Sequence, residues 1–166
     1  MNENSKICPV DCAAKEIETT FEYNLGSNGN MFAIKLKRDI TVSSLVINSK
    51  SQGEGAVRIY TRTGSYTGHE KNIAGWDLVY YNPSVNHNRR GHATELGDFY
   101  SKVFVAKGSI QSFFVTSTKG LVYKEGVDEF AVCASDRWFD VLEGIGTDGE
   151  FSGKTYSPRI WGGKIR

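Results

Sequence analysis

The sequence predicts an all-β fold, a two-sheet antiparallel β-sandwich of jelly-roll-like form, on three observations. From Glu16 to Leu25 the chain alternates: Ile17, Thr19, Phe21, Tyr23 and Leu25 share one parity, and Glu16, Glu18, Thr20, Glu22 and Asn24 the other. Successive side chains of a strand point to opposite faces, so such a segment has one core face and one wet face. The same alternation recurs along the chain, broken about every eight to twelve residues by Gly, Asn or Asp. Glycine is abundant at 18 residues and proline scarce at 3, which suits many tight turns between short strands.

Each element follows from local pattern. The first strand, 16–25, ends in Gly26-Ser27-Asn28-Gly29-Asn30, a strong turn signal. Residues 31–37 form the next strand, with Phe32, Ile34 and Leu36 on one face. Arg38-Asp39 breaks it. Across 40–48 the apolar parity switches from Ile40 and Val42 to Leu45 and Ile47, the mark of a bulge. After a polar turn at 49–54, Gly55 to Thr63 is a clean strand: Val57, Ile59 and Thr61 face in, and Arg58, Tyr60 and Arg62 face out. A loop with two glycines follows, Gly64 and Gly68, whose freedom at positive φ would lift Tyr66 to a loop tip. Residues 76–81 read as a strand apolar on both faces, and 82–91 as a long polar loop. Further strands are expected at 92–96, 102–106, 109–117, 121–123, 129–134, 138–145 and 156–165. About eleven segments and no amphipathic helix fit two packed antiparallel sheets.

A chain of 166 residues suits one domain, here 16–166 after a lead-in at 1–15. It is long enough to bury roughly 70% of its unfolded surface. With 20 basic and 19 acidic residues the net charge is +1, so no strong field draws nucleic acid or an anionic membrane. No apolar run is long enough to span a bilayer. No signal peptide opens the chain, which leaves a cytosolic protein or the mature part of a secreted one; cysteines so near the N-terminus favour the latter. The three cysteines are Cys8, Cys12 and Cys133. Cys8 or Cys12 could bridge to Cys133, a link worth ~4–5 kcal/mol by chain entropy; alternatively Cys133 is a buried thiol. Metal-ligand spacing for zinc is absent.

Catalytic signatures are weak. There is no G-x-S-x-G, and Ser65 and Ser109 are turn serines. Asp98, Asp128, Glu129, Asp136, Asp140 and Glu143 are available as a glycosidase pair, but acids on sandwich loops are usually solvated. Asp148-Gly149-Glu150, with Asp136 before it, is a candidate structural calcium site, since calcium takes six to eight oxygens; it lacks the D-x-D-x-D-G pattern, and a solvated turn is the plainer reading. Aromatics reach 12%, enough to furnish stacking faces. Shallow glycan sites combine such faces with planar polar groups. The candidates are Tyr60 and Arg62 on the outward strand face, Tyr66 in the next loop, Tyr81, Asn86 and Arg89 in and beside the polar loop, and Trp138 after an Asp-Arg turn. Each aromatic has a plain alternative as core.

Several phrases carry a family resemblance: Asn30-Met31-Phe32-Ala33-Ile34, Tyr60-Thr61-Arg62-Thr63-Gly64-Ser65-Tyr66-Thr67-Gly68, Ala74-Gly75-Trp76-Asp77-Leu78-Val79, Phe113-Phe114-Val115-Thr116 and Pro158-Arg159-Ile160-Trp161-Gly162-Gly163-Lys164-Ile165. Over roughly residues 30–165 the chain resembles a repeated β-rich module of large extracellular proteins of diatoms and other marine microbes, seen also in some bacteria. The resemblance implies a secreted or surface location and an adhesive or recognition role, and no catalytic residues. Physically, Pro158 suits a sheet edge, and Arg159 and Trp161 share a face on which guanidinium could cover indole. The expectation is a non-enzymatic module, a whole protein or one module of a larger one, that binds a polysaccharide or cell-surface protein. A protein-interaction or assembly module without a sugar ligand is the alternative.

Overall fold

A computed structural model describes residues 15–166, and among them there is no helix. The strands in chain order are β1 (Ile17–Glu18), β2 (Leu25–Leu36), β3 (Ile40–Val42), β4 (Leu45–Asn48), β5 (Gly53–Thr63), β6 (Asp77–His87) and β7 (Ala93–Glu95). They continue with β8 (Val103–Val105), β9 (Ile110–Glu125), β10 (Val132–Ser135), β11 (Phe139–Gly149), β12 (Ser152–Trp161) and β13 (Gly163–Ile165). A four-stranded sheet runs β1-β13-β4-β7. A seven-stranded sheet runs β10-β11-β12-β9-β5-β6, with β2 pairing both β11 and β9. β3 and β8 pair by themselves. Every pairing is antiparallel, and the two larger sheets pack as the β-sandwich that the alternation predicts.

The main core lies between those sheets. Phe32 of β2 stacks on Trp161 of β12 at 4.3 Å and on Phe113 of β9 at 5.6 Å. Leu45, Ile47 and Ile165 answer them from the smaller sheet. A second apolar cluster covers the opposite face of the large sheet. There Met31, Tyr60, Phe114 and Ile145 meet Tyr66 and Trp76 from the β5–β6 loop and Phe151 from the β11–β12 turn. Phe151 stands edge-on to Tyr60 and Phe114, each at 5.0 Å. The large sheet is therefore dry on both faces where β2, β5 and β9 run side by side.

Several boundaries differ from expectation for physical reasons. The alternating segment 16–25 is a strand only at Ile17–Glu18. Beyond it the chain crosses from one sheet to the other: the Thr19 hydroxyl donates to the Trp161 carbonyl, and the Asn24 amide reaches the Tyr123 carbonyl. The glycine-rich stretch 26–30 is no turn and lies inside β2. Its Gly29 is there for close approach, since a Cβ would lie 2.5 Å from Thr147 Oγ1 and 2.9 Å from the Phe114 ring. The parity switch at 40–48 marks a change of sheet rather than a bulge: β3 ends, Ser43 and Ser44 bind the Arg166 carbonyl, and β4 begins in the four-stranded sheet. The polar stretch 82–87 continues β6, with Val85 and His87 buried in alternation; Pro83 is tolerated because β6 is the outermost strand. Pro158, expected at an edge, sits in β12 between β11 and β9, at a shift in the β11 register. Arg159 covers Tyr123 at 5.7 Å rather than Trp161, whose indole turns into the core.

Cys133 on β10 carries a free thiol that donates weakly to the Val141 carbonyl, and its partner candidates Cys8 and Cys12 lie outside the described residues. Burial and then the nearby Glu143 carboxylate push this thiol up to about 12. Cys133 should therefore resist iodoacetamide at pH 8 while an unhindered thiol reacts, which peptide mapping by mass spectrometry reads directly; recovery of Cys133 in a disulfide-linked peptide would contradict the free thiol. A second prediction tests the strand packing. A Cβ at Gly144 would lie 1.8 Å from the Met31 carbonyl oxygen, so Gly144→Ala must push β11 from β2 and should cost about 1–3 kcal/mol in chemical denaturation.

Candidate functional site

One end of the sandwich holds a groove of about 790 Å³. Its floor is apolar, from Ile17, Val42, Leu96, Phe139 and Ile165. Polar groups line it as well, among them Ser43, Asp98, Lys102 and Asp136. Trp138 forms one wall, half-buried. The local sequence fixes that indole. Asp136 Oδ1 accepts the amides of Trp138 at 2.7 Å and Phe139 at 2.9 Å, a side-chain turn that reverses the chain into β11. The Trp138 carbonyl accepts the Lys37 amide, and Lys37 Nζ bonds the Asp136 carbonyl and the Ser135 hydroxyl. Lys37 also pairs with Asp140 at 2.6 Å, and this hydrogen bond holds the Asp140 carboxyl below the usual carboxylate range.

Cations surround the indole: Lys15 Nζ lies 4.4 Å from its ring centroid, Arg137 Cζ 5.2 Å and Arg38 Cζ 5.4 Å. The ring quadrupole favours that placement. The opposite wall is the β3–β8 pair. Thr41 lines the groove, and its cross-strand partner is Phe104. Directly paired residues project from the same face, so Thr41 and the 66% exposed Phe104 point away from the core that Val42 and Val105 enter, and Phe104 does not line the groove.

The other expected residues lie elsewhere. Tyr60 on β5 is buried and Tyr81 on β6 is exposed, and both contact side chains, Glu150 and Arg58, that line a shallow depression of about 290 Å³. The Tyr60 hydroxyl donates to Glu150 Oε1, Thr116 donates to Oε2 at 3.2 Å, and Arg58 approaches Oε2 at 3.5 Å. The Arg58 guanidinium also lies 4.6 Å over the exposed Tyr81 ring. Burial, then the Glu150 carboxylate, pushes the Tyr60 phenol well above its ordinary value, so it stays neutral. Tyr66 is not at a loop tip. Gly64 and Gly68 have positive φ as anticipated, but they fold the loop down, and Tyr66 is fully buried. Its hydroxyl donates to Glu129 Oε1 at 2.8 Å and its ring stacks on Phe130 at 5.2 Å. Arg62 follows it into the roof, with its guanidinium 5.9 Å from the Trp76 centroid. Asn86 lies exposed on β6, and Arg89 lies exposed in the turn beyond.

The expected calcium ligands are not brought together. Asp136 caps its own turn, Asp148 accepts from Ser27 and Tyr156, and Glu150 accepts from Tyr60 and Thr116. Among the described residues no three His, Cys, Asp or Glu are placed to hold a metal ion. Glu143, expected to be solvated, is buried, and its Oε2 accepts the amides of Val127 at 2.7 Å and Asp128 at 3.1 Å. Glu143 thereby ties the β9–β10 loop to β11, a structural use of a carboxylate.

No family model matches the chain, and no curated protein matches it.

The buried role of Tyr66 is measurable. Tyr66→Phe removes one hydrogen bond to a carboxylate and should cost about 1.5–3 kcal/mol or less, whereas Tyr66→Ala empties part of the roof and should cost about 3–5 kcal/mol. Equal and negligible losses in urea denaturation would show that the loop does not pack as described.

Proposed function

We propose that this is a non-catalytic extracellular recognition module that binds cell-surface or matrix glycan in the end groove. The observation that carries the reading is the groove itself: an apolar floor and an indole wall, lined also by hydroxyl, carboxylate and ammonium groups. Apolar lining with a few placed polar groups is the usual composition of a small-molecule site. A sugar ring offers the same pairing, an apolar C–H face and equatorial hydroxyls. Trp138 would supply the stacking platform, and Ser43, Asp98 and Lys102 hydrogen bonds to hydroxyls.

The non-catalytic part of the reading draws support from two groups that resemble reactive ones. Ser49 and His87 are hydrogen-bonded at 2.7 Å, yet both are buried, so no substrate carbonyl reaches them. Tyr60 beside Glu150 has its phenol pushed up rather than down, the wrong direction for a nucleophile. The surface location rests on the resemblance to marine microbial modules. A second reading, a protein-assembly module, is favoured by Val127 and Val132, which are 87% and 56% exposed beside the outermost strand β10.

The test is a glycan array followed by calorimetry on the best oligosaccharide. Trp138→Ala should weaken binding at least about tenfold, or ~1.4 kcal/mol, with the circular dichroism unchanged, and Phe104→Ala, outside the groove, should leave it unchanged. A folded protein that binds no glycan, or a Trp138→Ala variant that binds as tightly as the parent, would leave assembly as the better reading.

A further inference from the structure

A chain of buried hydrogen bonds stitches the two sheets together at β6. His87 of β6 is 1% exposed, and Ser49 and Thr94 are fully buried. His87 Nε2 lies 3.3 Å from the Gly55 carbonyl of β5, and Nδ1 lies 2.7 Å from Ser49 Oγ, one residue beyond β4. Ser49 Oγ is 3.2 Å from Thr94 Oγ1 of β7, and Thr94 Oγ1 accepts the Asn88 amide at 2.9 Å. β5 and β6 belong to the large sheet, and β4 and β7 to the small one.

The chemistry of the two ends fixes every proton between them. A carbonyl only accepts, so Nε2 carries the hydrogen and Nδ1 of the neutral ring is bare. Nδ1 must then accept from the Ser49 hydroxyl. Ser49 accepts from the Thr94 hydroxyl, and Thr94 accepts from the Asn88 amide. The donors all point one way, from Asn88 to Gly55. A proton added at Nδ1 turns that atom into a donor. Ser49 would then turn to donate to Thr94, and Thr94 could no longer donate to Ser49. The Asn88 amide, a donor only, cannot reverse. The displaced Thr94 hydrogen is left facing a site closed to water, and a buried unpaired polar group is costly.

We propose that this chain is an acid-sensitive latch, holding the sheets together at neutral pH and releasing the end of the sandwich that carries the 88–92 turn when His87 is protonated. The surrounding charges agree. The charged group acting on the ring is Lys119 of β9, whose side chain lies over Gly55. Ser49, Gly55, Asn88 and Thr94, which face it from the other elements, are uncharged. Burial first, and Lys119 beside it, lower the His87 pKa below its ordinary value. The sign follows by linkage: the unfolded chain takes up the proton at higher pH than the folded one. Stability is whole above the unfolded imidazole value of about 6.5 and is lost as pH falls below it through the folded-state value.

The experiment is native-state amide exchange on the full chain from pH 7.5 to 5, corrected for intrinsic rates, with NMR titration of the His87 ring. The Asn88 amide and the amides of the β4–β7 pairing should open more often as pH falls, by up to about tenfold per pH unit within that window. The Phe113 and Val115 amides of β9 should not. The ring should be the Nε2–H tautomer at pH 7.5 and titrate below the free value. A His69→Gln/His92→Gln variant should keep the response, because those imidazoles lie outside the chain of bonds. His87→Asn, where it folds, should lose it. Exchange that accelerates equally in β9, or a ring that titrates at its ordinary value, would overturn the latch.

Discussion

Phe113 and Phe114 are consecutive residues of β9, and both are fully buried. Neighbouring strand residues point to opposite faces, so this pair obliges the large sheet to be covered on both sides. Met31 and Phe32 impose the same demand one strand away, since they pair with Phe114 and Phe113. Burying each large apolar side chain is worth about 1.5–3 kcal/mol, far more than ordering one polar loop residue gains. The smaller sheet covers the inner face. Nothing in the sheet order covers the outer one, so the β5–β6 loop and the β11–β12 turn fold over it, carrying Tyr66, Trp76 and Phe151. The polar attachments of that roof, Tyr66 to Glu129 and Ser157 to the same carboxylate, follow from where these rings must go.

This roof explains what the sequence revealed and what it hid. Alternation identified strands and sheet class well, because inner-face residues such as Val57 and Ile59 keep strict parity. The outer face of β5, Arg58, Tyr60 and Arg62, reads as wet by the same parity. Tyrosine and arginine do not disclose whether a loop will settle on them: each has a long apolar body and a polar tip that can reach out from beneath a cover. That ambiguity sent Tyr60, Arg62 and Tyr66 to a surface they do not occupy. The turn ahead of Trp138 is different, because Asp136 two residues earlier is a local signal whose hydrogen bonds form without tertiary context. Gly29 shows the opposite failure. A glycine in a turn and a glycine under a crossing side chain look alike until the partner, here Thr147, is placed.

Polar residues fall into two groups with different consequences. Glu143, His87, Ser49 and Thr94 are buried with their hydrogen bonds made inside the protein. Such satisfied networks hold loops and strands in one arrangement and offer little to a partner. Ser43, Ser44, Asp98 and Lys102 line a concavity instead. The difference lies in the chain path rather than in residue type, which is why composition alone does not separate a structural histidine from a binding lysine.

The groove itself is a by-product of how the chain changes sheets. β3 leaves the sandwich to pair with β8, and two residues later β4 is paired to β13. Ser43 and Ser44 make the transition by donating to the Arg166 carbonyl, while the Arg166 side chain reaches Glu16 and Glu95 from neighbouring strands. The small β3–β8 pair is hydrogen-bonded to neither main sheet, though Val42 and Val105 pack into the core, and the groove beside it is walled by strands and a hydrogen-bonded turn. Walls of that kind lose little conformational entropy on binding. Trp138 is already held through its amide and its carbonyl, so a ligand meeting it need not first order the backbone that carries it.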